Sequence, residues 1–371
     1  MRDPVRVHLD EQDGDAPPGA LPDGGVRATV ARGQAPPSPG TPSGDSPVAS
    51  TRPAWALAGI WGLVLVAAVA FMTVGANGAW DFVLPFRGTK LAALALVAYA
   101  VAVSTVLFQT VTDNRILTPS IMGFDTLYVL LQTVLAFTLG SATVAGLDHR
   151  LRFAVQVVLL VAFAGLLFRW LFTGARRSLH LLLLVGLILG VLFRSLASFM
   201  QRLIDPNEFA VLQGSFFASF NGVDPALLGV ATVLVAGASV LAWRLRSTFD
   251  VLLLGRPTAT MLGVDHRRVV TLVLVVVAVL VAVSTALVGP VTFFGLLVAH
   301  LAYLLAGSHR HRYVLPAAVG VAVLCLVGGQ TVLERVLGYD TTLSVVIELL
   351  GGLTFLTLLL RDARRASGGA R

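Results

Sequence analysis

One lysine and one cysteine stand in 371 residues, and charged side chains make up only 13% of the chain. The lysine, Lys90, lies between Thr89 and Leu91. A phosphate-binding P-loop needs Gly-Lys-[Ser/Thr], because the ammonium must reach the β- and γ-phosphates. That motif is absent, so any ATP that drives this protein is bound by another polypeptide. The lone Cys325, inside an apolar stretch, excludes an intrachain disulfide and a cysteine-based metal cluster. So little charge also excludes an ordinary soluble domain, in which about a quarter of the residues are charged. Carboxylates at membrane depth are scarcer still. Seven of the twenty precede residue 54, most others punctuate loops, and Glu348 and Asp125 alone fall inside apolar stretches. Ion-coupled carriers hold their ion with such groups, so Glu348 gives that mechanism thin support.

What is abundant is hydrocarbon: 56% of the residues are hydrophobic and the mean hydropathy is +0.84. A bilayer core of about 30 Å is crossed by about 20 helical residues. Stretches of that kind lie near 54–76, 88–109, 117–139, 151–172, 179–203, 225–243, 269–288, 289–306, 314–333 and 342–360. The fold expected is an all-α, polytopic membrane protein of about ten transmembrane helices, placed in the cell membrane. With the N-terminus inside, the cytoplasmic loops and the segments flanking the first and last spans hold fourteen arginines, while the outer loops hold six basic residues: Arg87, Lys90, Arg150, Arg152, Arg202 and Arg335. That bias puts both termini in the cytoplasm. It also accounts for the net charge of +7 as topology rather than nucleic-acid binding.

Residues 1–53 are rich in Pro, Gly, Asp and Ala, and read as a disordered cytoplasmic tail without the pattern of a signal peptide. The organisation expected is that tail, a membrane domain over 54–361 and a short basic tail over 362–371.

Arg194, in Leu192-Phe193-Arg194-Ser195, is charged at membrane depth and must face protein or water. It is expected at the depth of Glu348 and to pair with it, either to fix helix packing or to line a polar pathway. Gly186 and Gly190, four apart on the same stretch, form a small face that lets helices approach closely. The longest basic connection, 244–268, is apolar enough to order but too broken to span. Val251–Leu254 forms one short piece, Gly255 ends it, Pro257 suits the first turn of another, and Gly263 is placed as its C-cap. Two short helices joined by a glycine on the cytoplasmic face suit the grip of a soluble partner. His309 and His311 lie on a basic turn, read as solvated and without carboxylates, which gives little room for metal or catalytic chemistry.

The stretch Leu253-Leu254-Gly255-Arg256-Pro257-Thr258-Ala259-Thr260-Met261-Leu262-Gly263-Val264 resembles the coupling loop of the FecCD-type permeases, the membrane subunits of importers for iron–siderophore complexes, haem and cobalamin. Further matches follow in the same order: Gln109 through Gly123, Gly289 through His300, and Gly351-Gly352. They cover about 54–361. The sequence departs from the family pattern at Arg115 and Ala299, where prolines are usual. Leu117 through Asp125, with Gln201 through Phe209, is similar to a ferric-siderophore branch of catecholate or mixed-ligand type.

The resemblance implies a transporter permease of the vitamin B12/siderophore importer type rather than an enzyme, with no catalytic residue and no cofactor or metal held by this chain. ATP and Mg are used by separate ABC ATPase subunits. The implied partners are those subunits, a second permease in a homo- or heterodimer, an extracytoplasmic siderophore-binding protein and the iron–siderophore ligand. Haem, cobalamin or another metal chelate is the alternative cargo. The ATPase contact falls on Gly255, Ala259, Leu262 and Gly263, the translocation pathway on Arg194, Gly186 and Gly190. Docking of the binding protein falls on Arg87, Lys90 and Arg335, which are also three of the six outer basic residues.

Overall fold

A computed structural model describes residues 52–75, 78, 80–173, 179–336, 338 and 342–368. The expected tail lies outside them, except for residues 52 and 53, which open the first helix. Among the described residues every regular element is a helix: α1 (Arg52–Thr73), α2 (Trp80–Thr112), α3 (Phe124–Leu139), α4 (Ser141–Gly146), α5 (His149–Thr173), α6 (Leu179–Gln201), α7 (Pro206–Gly214), α8 (Pro225–Arg244), α9 (Arg246–Leu252), α10 (Arg256–Met261), α11 (His266–Val288), α12 (Phe294–Ala306), α13 (His311–Arg335) and α14 (Leu343–Gly368). The last helix runs through most of the stretch read as a C-terminal tail.

Among the described residues seven helices, α1, α2, α5, α6, α8, α11 and α13, are long and apolar enough to cross a membrane, and α3, α12 and α14 carry shorter apolar segments. These ten occupy the ten expected stretches. Two are shorter than the hydropathy suggests because turn residues interrupt them. Before α3, Pro119 opens a single 3-10 turn that closes on Gly123 in the left-handed region (φ +90°). Before α12, Gly289 (φ +99°), Pro290 and left-handed Phe293 (φ +59°) hold the chain out of helix. Irregular backbone at membrane depth is tolerated where protein covers it. Here residues 288–290 are buried, the Gly289 N–H donates to the Thr285 carbonyl (2.8 Å), and the Val288 carbonyl accepts from the Ser219 N–H (2.8 Å).

The core lies along α2, α11 and α13, whose apolar windows are 67%, 72% and 67% buried, against 17% for α1 and 22% for α6 and α8. Small and β-branched side chains make this close packing work. Ala93, Ala98 and Ala102 of α2, Val277 and Ala282 of α11, and Ala317, Ala318 and Ala322 of α13 are fully buried. The other helices carry large apolar side chains outward, among them Leu65 and Val66, Leu187 and Val191, Val233, and Leu349 and Leu353. In a membrane protein those faces meet lipid or another subunit.

Candidate functional site

In the hairpin α9–α10 the turn residues fall where expected, but the first helix runs over Arg246–Leu252 rather than Val251–Leu254, so that Leu253 and Leu254 already belong to the turn. Gly255 (φ +84°) turns the chain between the helices, and Pro257 sits in the first turn of α10, where its missing N–H costs nothing. At the other end Gly263 is left-handed (φ +81°). Its N–H donates to the Thr260 carbonyl (3.0 Å) and the Val264 N–H to the Ala259 carbonyl (3.0 Å), a complete Schellman closure. Phe249, Leu252 and Ala259 point inward and are buried, whereas Leu254, Met261 and Leu262 stand out, Met261 with 87% of its surface exposed. Of the residues expected at a partner contact, Leu262 and Gly263 are exposed and Gly255 is half-buried. Ala259 is not available: it is fully buried as the inward anchor of α10. Met261, which the sequence reading does not single out, is the most exposed large apolar side chain among the described residues.

The hairpin is also held by a histidine that the sequence places wrongly. His311 is 1% exposed rather than solvated, and it has a carboxylate partner. Asp250 of α9 accepts from the His311 backbone N–H (2.9 Å) and lies 2.6 Å from its Nδ1. The other ring nitrogen, Nε2, is 2.7 Å from the Thr110 hydroxyl at the end of α2. His309 matches the expected exposed turn, with Arg115 Nη2 3.3 Å from its Nδ1 and the Arg115 guanidinium 4.7 Å above the Tyr303 ring.

At the opposite end of the bundle, Arg87, Lys90 and Arg335 do converge, but two of them are engaged within the chain. The Arg87 guanidinium donates to the carbonyls of Phe71, Met72, Val74 and Gly75, satisfying the open C-terminus of α1. Lys90 is 4% exposed, forms an ion pair with Glu334 of α13 and donates to Asn221 Oδ1. A buried ammonium in an ion pair does not meet a docking protein, so the expectation for Lys90 is corrected. Arg335 is exposed, with its guanidinium against Gly75.

At membrane depth the expected ion pair is absent. Among the described residues the salt bridges within 4.0 Å are Lys90–Glu334 and His311–Asp250, and Arg194 makes none with Glu348. Thr292, in the turn before α12, donates to Asp125 Oδ2 (3.3 Å). Arg194 itself is exposed on the outward face of α6, beside Val191 and Leu192. Gly190 and Gly186, about one and two turns before Arg194 on the same helix, are packed against another part of the chain. A Cβ on Gly186 would lie 2.8 Å from the Met122 Cα, and Gly190 abuts Gly123, so this face packs α6 onto the turn before α3 instead of lining a pathway. Gly186→Ala is therefore expected to destabilise the protein by about 1–3 kcal/mol, since backbone must move to admit the methyl. Gly165→Ala, with nothing within 4 Å, is the control. Equal thermal unfolding midpoints in detergent for the two variants would contradict the close approach.

Residues 55–361 match the model of the FecCD transport family. The petrobactin import system permease protein YclO of Bacillus subtilis (strain 168) is 47% identical over 285 residues, covering 77% of this chain and 90% of that protein. The petrobactin import system permease protein FatC of Bacillus anthracis is 38% identical over 275 residues, covering 74% and 78%. A solved structure described as an inward-facing conformation of a transporter of the metal-chelate ABC type matches with a TM-score of 0.73, over 83% of this chain and 99% of that one, at 22% identity. That last likeness shows the fold.

Proposed function

The chain belongs to the FecCD transport family, and from that premise we propose that it is the permease subunit of an ABC importer for a ferric siderophore of the petrobactin kind. The observation that carries the proposal is the 47% identity to a petrobactin import permease over nine-tenths of that protein's length, 90%. Three features of the chain support the rest. It has no P-loop, so ATP and Mg belong to a partner ATPase. Its hairpin α9–α10 presents Leu254, Met261 and Leu262 outward at the arginine-rich end, where such an ATPase docks. Arg194 stands uncovered on an apolar face, and a charge there needs protein or water rather than lipid. A second permease copy or homologue, enclosing an aqueous pathway along α6, supplies that environment.

In this mechanism the ATPase closes on ATP and drives the hairpins, and the helices pass between outward- and inward-open arrangements. An extracytoplasmic binding protein delivers the chelate at the other end. Arg335, the exposed member of the outer basic trio, is its contact, while Arg87 and Lys90 build the ledge beneath.

The test is uptake of 55Fe-labelled ferric petrobactin into proteoliposomes holding the permease with its ATPase and binding protein. Uptake should require internal ATP and persist when the proton gradient is collapsed. Uptake by the permease alone, or uptake abolished by collapsing the gradient at constant ATP, would overturn the mechanism. Uptake of haem or cobalamin in place of petrobactin would overturn the cargo.

A further inference from the structure

A push on the hairpin α9–α10 reaches α8 and α11 through the chain itself, because Leu245 joins α9 to α8 and Leu262 through Asp265 join α10 to α11. The scaffold helices α2 and α13 have no such covalent link. What ties them to the hairpin is a short series of directional contacts. Asp250 Oδ1 receives both the backbone N–H and the Nδ1 side of His311, at 2.9 and 2.6 Å, and Nε2 of the same ring meets the Thr110 hydroxyl at 2.7 Å. Nδ1 faces a carboxylate and so carries a proton. Thr110 is itself a residue of α2, so the series ends on that helix.

The environment makes this series stiff at one end and accessible at the other. His311 is buried, with Phe249 of α9 edge-on to its ring at a centroid distance of 5.7 Å. Asp250 is partly open, and lines a cytoplasmic cleft of about 540 Å³ with Arg246, Ser247 and Arg312. The buried side chains of the hairpin are apolar: Phe249, Leu252 and Ala259. Apolar contacts slide, whereas hydrogen bonds to a charged group are directional and resist displacement.

We propose that Asp250, His311 and Thr110 form a strut that carries motion of the hairpin to α2 and α13, making His311 a positioning residue of the transport cycle. The proposal rests on the reading of α9–α10 as the ATPase dock. Without the strut, ATP binding would still move the hairpin, but the movement would not reach the outer end of the scaffold helices.

The experiment uses the full chain in complex with its ATPase, with Cys325→Ala as background and an environment-sensitive fluorophore on a cysteine at one of two exposed positions. Thr258→Cys reports on the hairpin, and Val336→Cys on the outer end of α13. In the background protein, ATP should change the emission at both sites. In His311→Gln, and in Thr110→Val, which leaves the Asp250 contact intact, the hairpin response should remain and the outer response should be lost. An outer response unchanged in both variants would overturn the strut, as would loss of ATPase binding in both, which would make the contacts a fold requirement only. If ATP leaves the hairpin silent in the background complex although the ATPase is bound, the docking reading falls, and the strut with it.

Discussion

Lys90→Met is expected to cost about 3–5 kcal/mol of stability, the largest effect of any single substitution at the outer end, because it leaves a carboxylate with a nine-tenths buried side chain without its cation. Glu334, whose side chain is 10% exposed, would keep the Gln330 amide (2.9 Å) but lose the ammonium. A neutral amide offsets only part of the desolvation of a charge. The pair itself need not be a net gain. Bringing both ions out of water costs roughly what their attraction returns, so Lys90→Met with Glu334→Leu should regain most of what the single change loses. Thermal unfolding in detergent micelles reads the comparison directly. A single variant as stable as the parent would mean that Lys90 is solvated after all, and would restore it to the docking surface from which its burial removes it.

The contrast between Lys90 and the helices around it shows where sequence is informative. A run of about twenty apolar residues must cross the bilayer whatever its neighbours do, so the ten stretches and the arginine bias could be read without a partner. Gly255, Pro257 and Gly263 act over four or five residues, and they place the hairpin correctly. Lys90 could not be placed that way. Its partner Glu334 is 244 residues away and Asn221 is 131, and an outer lysine before a span looks the same whether it docks a protein or closes a pair.

His311 failed for the same reason, with Asp250 lying 61 residues earlier, beyond an intervening pair of spans. The glycines of α6 failed differently. A small-residue face announces close approach, but not to what, and the approach turned out to be to Met122 and Gly123 rather than to a pathway. Ala259 was misplaced because resemblance transfers a segment as a block. Within a six-residue helix the inward anchor and the outward contact are only two or three residues apart.

That distinction sets the second large effect. Met261→Asp combined with Leu262→Asp is expected to weaken capture of the ATPase by at least about 30-fold, because apolar anchors at the centre of an interface are worth about 2 kcal/mol or more. ATP-driven uptake should fall to background. Both side chains are largely exposed, 87% and 61%, so the variant should fold and insert as the parent does. Ala259→Asp should behave in the opposite way. It places a carboxylate where an alanine is fully buried, and should unfold the hairpin and lower the yield of folded protein. Gly263→Val lies between these limits: a β-branched residue at φ +81° costs about 1–3 kcal/mol of backbone strain and opens the Schellman closure without altering the exposed apex. Capture should then fall in proportion to the population of closed hairpin. Co-purification of tagged ATPase with each permease variant, beside its unfolding midpoint, separates the cases. If the doubly charged apex captured the ATPase as well as the parent, Met261 and Leu262 would face lipid or solvent, and the grip would have to be sought elsewhere on the cytoplasmic end.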